Sequence, residues 1–244
     1  VKPVEKIPFE LLNDFTLDER IPVIYQYDDA TDVVVQQSIN AKFNLGELKE
    51  SINRVLRCES NYYGFTDPYL YQALNDYPVF NKDVALIGST YPWYEAVLLT
   101  RGSKTIKVIE YSDRKLDGIS NLTYIKPNDV EQINAYSDQY DAVVSISSYE
   151  HDGLGRYGDP LNPNGDLEAM KNLKKIVKPD GLLYLAVPVG QDRLYFNIHR
   201  VYGRLRLPLL LKDWTVVETY GLQGNYFNVD NEGDYQPVFV LRNT

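Results

Sequence analysis

The chain has 244 residues, 44% of them hydrophobic and 24% charged, with a formal net charge of -9 and an isoelectric point near 4.8. That is the profile of a globular α/β-sized domain with a full core, and its acidity argues against a phosphate backbone as partner. No apolar run approaches the ~20 residues of a membrane helix, the longest candidate, Leu205–Leu211, being interrupted by Arg206 and Pro208.

Residues 1–30 are rich in Pro and Asp without periodicity and read as an extended lead-in. Over 31–57, Val33, Val34, Ile39, Phe43, Leu48, Ile52, Val55 and Leu56 fall at mainly helical spacings,. A turn at 61–66 leads to a short helix over Asp67–Leu74. These segments form an N-terminal extension and helical cap over residues 1–80, and an α/β domain is expected over 81–244.

Val84–Ile87 is a short apolar run that ends on Gly88, the pattern of a buried parallel strand,. Pro92 opens a helix that runs over Trp93–Thr100 and stops at Gly102. Further strands are predicted over Thr105–Ile109, Leu122–Ile125, Ala142–Ile146 and Leu182–Val187. A helix is predicted over Asp166–Val177, with Met170 and Leu173 in its buried stripe and Pro179-Asp-Gly181 stopping it. Strands that alternate with helices predict a doubly wound, mostly parallel sheet. Trp214–Tyr220 and Pro237–Leu241 are two more strands, seven in all, and the Gly- and Asn-rich stretch between them offers no crossover helix. They are therefore expected to pair as an antiparallel hairpin. A parallel nucleotide-binding sheet closed by such a hairpin resembles the class I methyltransferase sheet.

In an open α/β sheet the ligand lies beyond the carboxyl ends of the strands at the switch point. Gly88, Ser89 and Thr90 follow the first sheet strand, where the amides that open the next helix can hold an anion. Glu110 ends the second strand, 22 residues after Gly88, at the position of an acid that accepts ribose hydroxyls. Tyr111 is placed against an adenine ring, and Asn128 and Asp129 at its amino edge. Ser147 and Tyr149, after the fourth strand, flank the methionine portion. Against the cofactor reading stands the bulk of the loop: Gly88-Ser-Thr-Tyr-Pro-Trp-Tyr94 has one glycine where dinucleotide loops have two or three.

Several segments together resemble domain-of-unknown-function family 268, a relative of the class I S-adenosylmethionine-dependent methyltransferases. They are Asp67-Pro-Tyr-Leu-Tyr71, Gly88-Ser-Thr-Tyr-Pro-Trp-Tyr-Glu95, Glu110-Tyr111, Ser147-Ser-Tyr-Glu-His-Asp-Gly-Leu-Gly-Arg-Tyr-Gly-Asp-Pro160, Val187-Pro-Val-Gly190 and Phe196-Asn-Ile-His-Arg200. The long central segment is the most specific. The resemblance implies a methyltransferase-like fold and an S-adenosylmethionine site, and it supplies no substrate.

Methyl transfer to a hydroxyl needs alignment and a base. The chain has two histidines. His151, after the fourth strand, is ranked first as base, with a hydrogen-bonded organiser of the loop as the equal alternative. Glu150 and Asp152 flank it as tautomer-setting or metal-binding carboxylates, although their spacing is no recognised ligand signature and a divalent metal is not favoured. Asp159, Arg156, His199 and Arg200 are candidates for holding the acceptor, with salt bridging as the alternative for each arginine. Arg193, Arg200, Arg204, Arg206 and Lys212 read as one solvated helix face or a local anion site. Trp93 and Trp214 read as packing residues. The 21 tyrosines and the polar loops favour a sugar or glycan terminus as acceptor, hence O-methylation; the alternative is a cofactor-binding or catalytically inactive module. Cys58 stands alone, so no internal disulfide forms and a cytoplasmic setting is expected. The chain opens on Val1 rather than Met, so a processed product or one domain of a longer polypeptide is expected.

Overall fold

A computed structural model describes residues 2–32, 42–112, 116–126, 139–230, 232 and 234–244. Within them the chain begins with α1 (Leu12–Thr16), β1 (Val23–Tyr25), α2 (Leu45–Leu56) and α3 (Thr66–Asp76), then alternates through β2 (Asp83–Ile87), α4 (Trp93–Thr100), β3 (Thr105–Ile109), β4 (Leu122–Ile125) and β5 (Tyr140–Ile146). It continues with α5 (Gly165–Leu173), β6 (Val177–Ala186), β7 (Arg193–Phe196), β8 (His199–Val201), α6 (Leu207–Leu210), β9 (Trp214–Tyr220) and β10 (Val238–Asn243).

Seven strands make the main sheet in the order β4-β3-β2-β5-β6-β10-β9. The first five are mutually parallel. β10 runs antiparallel to both β6 and β9, so the expected terminal hairpin is present and closes the sheet. Chain order reverses between β2 and β5, and this opens a crevice beyond Ile87 and Ile146,.

Alternate side chains of the strands feed opposite faces. Val84, Leu86, Val144 and Tyr184 pack with Leu48, Leu70 and Trp93 from α2, α3 and α4. Ala85, Val143, Leu183 and Leu185 pack with Met170 and Leu173 of α5, and with Leu207 and Trp214. Burial of both faces explains why these strands read as continuous apolar runs.

Three expectations change. The helical periodicity over 31–57 yields a helix only from Leu45, because Asn44 and Glu47 form a reciprocal capping box: the Glu47 amide donates to Asn44 Oδ1 at 3.0 Å and the Asn44 amide to Glu47 Oε2 at 2.8 Å,. Val33, Val34 and Ile39 lie outside the described residues. The helix expected over Asp166–Val177 stops at Leu173, because the Gln139 and Tyr140 amides capture the Ile176 carbonyl and draw Val177 into β6 opposite Tyr140. Pro179-Asp-Gly181 lies inside that strand beside a register irregularity rather than ahead of it.

The lead-in is also more than extended chain. β1 pairs in parallel with β7, and β7 antiparallel with β8, in a second, three-stranded sheet. Ile7, Phe15 and Ile21 pack there against Leu154, Leu194 and Phe196. Nor do the five basic residues form one helix face. Arg200 and Arg206 are both 2% exposed. Arg206 donates to Asp166 through Nε at 2.9 Å and Nη2 at 2.6 Å, and the Tyr202 hydroxyl donates to the same carboxylate. Opposite charges account for their burial. Arg193 instead pairs with Asp230, and Arg204 lies over the Phe227 ring. Among the described residues no helix is long and apolar enough to cross a membrane.

Candidate cofactor and acceptor site

Gly88 leaves β2 with φ at +67°, and a Cβ built on it would lie 2.7 Å from Ser148 Oγ. Glycine is required there for both its backbone and its lack of bulk. It brings the loop after β2 against the loop after β5. Glu110, at the end of β3, crosses the crevice mouth: its Oε2 accepts the Ser89 amide and its Oε1 the Ser112 amide, both at 2.9 Å. A carboxylate offers about four acceptor positions, so two remain for ribose hydroxyls. Tyr111 is 67% exposed beside it. Gly88, Ser89, Glu110 and Tyr111 are thus brought together, and Thr90 stands at the exposed rim of the same loop. Asn128 and Asp129 lie outside the described residues.

Across the crevice Ser147 adopts a left-handed backbone with φ of 52°. Its Oγ donates to Glu150 Oε1 at 2.5 Å and accepts from Gln236 Nε2 at 3.0 Å. Tyr149 faces the other way, into the core with Val143 and Met170. The short 3-10 turn over Tyr149–His151 buries the tyrosine there and brings Glu150 to Ser147.

Glu150 is 1% exposed, and burial pushes its carboxyl up to about 7 despite the Ser147 hydrogen bond. Its Oε2 has no hydrogen-bond partner among the described residues. His151 Nδ1 lies 2.6 Å from the Ile198 carbonyl oxygen. Since a carbonyl only accepts, Nδ1 carries the proton and Nε2 the lone pair. Nε2 sits 3.7 Å from Glu150 Oε1. Burial, with positive charge on Arg156 and Arg200, pushes His151 down to about 4 and outweighs the Ile198 bond. The half-buried Asp152 carboxyl is pushed up to about 8, by burial first and then by Asp159, Asp166 and Glu150.

The residues expected to hold an acceptor mostly hold the protein. Arg200 donates to the carbonyls of Asp152 at 2.6 Å, Pro163 at 3.3 Å, and Glu150 and Asn162 at 3.4 Å. Its guanidinium is buried and consumed by that loop, which removes it from acceptor binding. Asp159 accepts the amides of Gly153 at 2.9 Å, Gly155 at 3.2 Å and Tyr157 at 3.3 Å, so its carboxylate folds the loop rather than facing an acceptor. Arg156 pairs with Asp28 at 2.5 Å and lies over the Tyr157 ring. His199 sits in β8. Its ring is 6.4 Å from that of His151 and 4.9 Å from that of Tyr195, and burial lowers its basicity. Among the described residues no group of three or more His, Cys, Asp or Glu side chains is placed to hold a metal ion.

Residues that were not singled out also build the site. Glu95, wholly buried in the first turn of α4, accepts from Ser89 Oγ at 2.7 Å and from the Tyr124 hydroxyl at 3.2 Å. Asp67, equally buried, accepts the Tyr94 hydroxyl at 3.1 Å. Tyr63 is pushed up to about 12, by burial first, with Ser147 and Glu150 for neighbours. One signal was available for Glu95: it is the lone acid in Trp93-Tyr-Glu-Ala-Val-Leu-Leu99, and a helix apolar on all sides is buried on all sides.

Residues 81–232, more than half of the sequence, match the family described as "Caenorhabditis protein of unknown function, DUF268". The chain belongs to this family. Among solved structures, NodS, an N-methyltransferase from Bradyrhizobium japonicum WM9 in complex with S-adenosyl-L-homocysteine, shares 15% identity over 81% of this chain and 98% of its own, with a TM-score of 0.50. An S-adenosylmethionine-dependent methyltransferase from Methanosarcina mazei shares 12% identity over 70% and 97%, with a TM-score of 0.50. A structure assigned as a sarcosine dimethylglycine methyltransferase from Galdieria sulphuraria shares 10% identity over 80% and 98%, with a TM-score of 0.53. No curated protein matches the sequence significantly. At these identities the likeness is one of fold: this family member carries the class I methyltransferase sheet.

Proposed function

We propose that the chain is an S-adenosylmethionine-dependent methyltransferase that acts on a hydroxyl of a small acceptor, a sugar or glycan terminus. The observation that carries the first part is the Glu110 carboxylate. It is fixed by two amides at the switch-point crevice and retains two acceptor positions, on a sheet that NodS uses with S-adenosyl-L-homocysteine. Gly88, Ser89, Glu110 and Tyr111 would hold the cofactor, which when bound supplies a methyl group already activated by its sulfonium.

The rest of the reaction falls to the protein. The loops after β2 and β5, in close approach at Gly88 and Ser148, would fix the direction of attack. His151 Nε2, held unprotonated by the Nδ1–H···O bond to Ile198, receives the acceptor's hydroxyl proton. Glu150, 3.7 Å away, stabilises the imidazolium that forms. This preference for a hydroxyl follows from the base, because a neutral amine attacks without first losing a proton. Tyr157, 45% exposed with its ring 6.0 Å from that of His151, and Tyr62, edge-on to Tyr63, offer flat faces for a sugar ring,.

Calorimetry with S-adenosyl-L-homocysteine tests the cofactor reading. Wild-type protein is expected to bind, and Glu110→Ala to bind at least about tenfold more weakly. A folded wild type that binds neither this ligand nor S-adenosylmethionine would sink the enzyme reading. His151→Ala should depress turnover by about 10²–10⁴ with cofactor affinity little changed. A chain that binds cofactor yet methylates nothing across a carbohydrate panel would instead support the inactive-module reading, which the bulky 88–94 loop favours.

A further inference from the structure

The loop after β2 lacks the glycines that ordinarily let a backbone wrap a cofactor, and something else must fix it. Ser89 is the pivot. Its amide donates to Glu110 at 2.9 Å. Its hydroxyl donates to Glu95 Oε1 at 2.7 Å and also lies 3.1 Å from the Tyr91 carbonyl. Ser89 is 2% exposed and Glu95 has no exposure at all. Tyr124, from β4, donates to the same Glu95 oxygen at 3.2 Å. The loop after β2 and strand β4 thus converge on one carboxyl of α4 beneath the loop. Glu95 Oε2 is buried with no hydrogen-bond partner among the described residues.

A buried acid that stabilised only the fold would be expected to have both oxygens satisfied. Here one oxygen carries both bonds, and both run outward, to the loop and to the strand that flank Glu110. Burial pushes the Glu95 carboxyl up to about 7, with Glu110 adding to the rise. Ser89 bridges the two acids, its amide on Glu110 and its hydroxyl on Glu95.

We propose that Glu95 is a positioning residue for the cofactor: through the Ser89 hydroxyl it fixes the Ser89 amide that orients Glu110, and so replaces the missing glycine-rich cradle. The inference rests on the methyltransferase reading above. Glu95 itself touches no cofactor in this arrangement. Its effect on binding must therefore pass through Ser89 and vanish when Ser89 Oγ is gone.

The test is a double-mutant cycle read by S-adenosyl-L-homocysteine affinity, with thermal melts of the ligand-free proteins alongside. Ser89→Ala and Glu95→Ala are each expected to weaken binding about tenfold, and the double variant no further. Glu95→Gln keeps an acceptor oxygen for Ser89 and should stay within about threefold of wild type. In the ligand-free protein, amide hydrogen exchange over 88–91 should quicken in Ser89→Ala and Glu95→Ala but not in Glu95→Gln. Additive losses, or unchanged affinity in folded single variants, overturn the proposal and leave the cofactor reading standing. If Glu95→Ala fails to fold, Ser89→Ala decides alone, since it removes one hydroxyl, and wild-type affinity there is equally fatal. If wild type binds no S-adenosyl-L-homocysteine, the cofactor reading and this inference fall together.

Discussion

Glu150 and His151 divide the work of one base between them. A histidine held down to about 4 has its lone pair available throughout the neutral range, but it is a weak acceptor alone. Glu150, pushed up to about 7, changes charge where enzymes operate. Ionised, it stabilises a cation forming 3.7 Å away; protonated, it does not. Turnover is therefore expected to rise as pH passes through about 7 and to hold its value above that. Glu150→Gln should remove this limb and lower the plateau by about 10²-fold. A pH–rate profile from 5.5 to 9 checks both effects, and an unchanged limb near 7 in the variant means that another group titrates.

At the scale of elements, the loop from Ser147 to Asn164 is built to hold that pair still. Arg200 threads its carbonyls and Asp159 its amides. Gly153 is its tightest point: φ is +76°, and a Cβ would lie 2.1 Å from the Asn162 carbonyl oxygen. Gly153→Ala should cost at least about 2 kcal/mol. Gly224→Ala, with nothing within 4 Å, should change stability by less than about 0.5 kcal/mol. Urea midpoints at constant m report the difference, and equal midpoints refute the packing described. Removal of the charge under the loop should be worse. Asp166→Asn leaves Arg206 and Arg200 buried without their counterion, an expected loss of about 3–5 kcal/mol.

These elements also mark the limit of what the sequence reveals. Strands β2, β5 and the second half of β6 advertise themselves because both faces are buried, and the terminal hairpin because no helix fits before Pro237. The crevice then follows from strand order, and with it the places of Gly88, Ser89, Glu110 and Ser147. The β1–β7–β8 sheet has no such signal. Val23–Tyr25 is three residues long and half-exposed, and its partner lies some 170 positions away. Arg200 and Arg206 look like surface charge because their counterion, Asp166, sits inside a helix more than 30 residues earlier. Local pattern reports how much of a residue is apolar; it does not report which distant charge makes burial of a polar one tolerable.

Taken as a whole, the molecule concentrates its reluctant acids around one crevice. Burial raises Glu95 from 4.5 and Glu150 from 4.5 to about 7, and Asp152 from 3.8 to about 8. Between those bounds the folded chain keeps protons that the unfolded chain has released, so each acid's contribution is complete below about pH 4 and is lost as pH rises toward 7 or 8. His151 acts in the opposite sense, lowered from 6.5 to about 4, and it removes stability as pH falls across that interval. Asp166, held below 3.8 by Arg200 and Arg206 against its own burial, withdraws its share only at still lower pH. From pH 5 to 6.5 three acids oppose one histidine, and above 6.5 the acids act alone. Stability should therefore decline from pH 5 to pH 8 by several kcal/mol, a tenfold change in proton affinity being worth about 1.4 kcal/mol, with the neighbouring groups titrating as a set rather than singly. Melting temperatures across that range are the measurement. A Glu95→Gln, Glu150→Gln, Asp152→Asn triple variant should show a much flatter curve and gain on wild type as pH rises. If wild type is instead most stable at pH 8, these carboxyls ionise freely in the fold, and a rise of turnover near pH 7 belongs to a group other than Glu150.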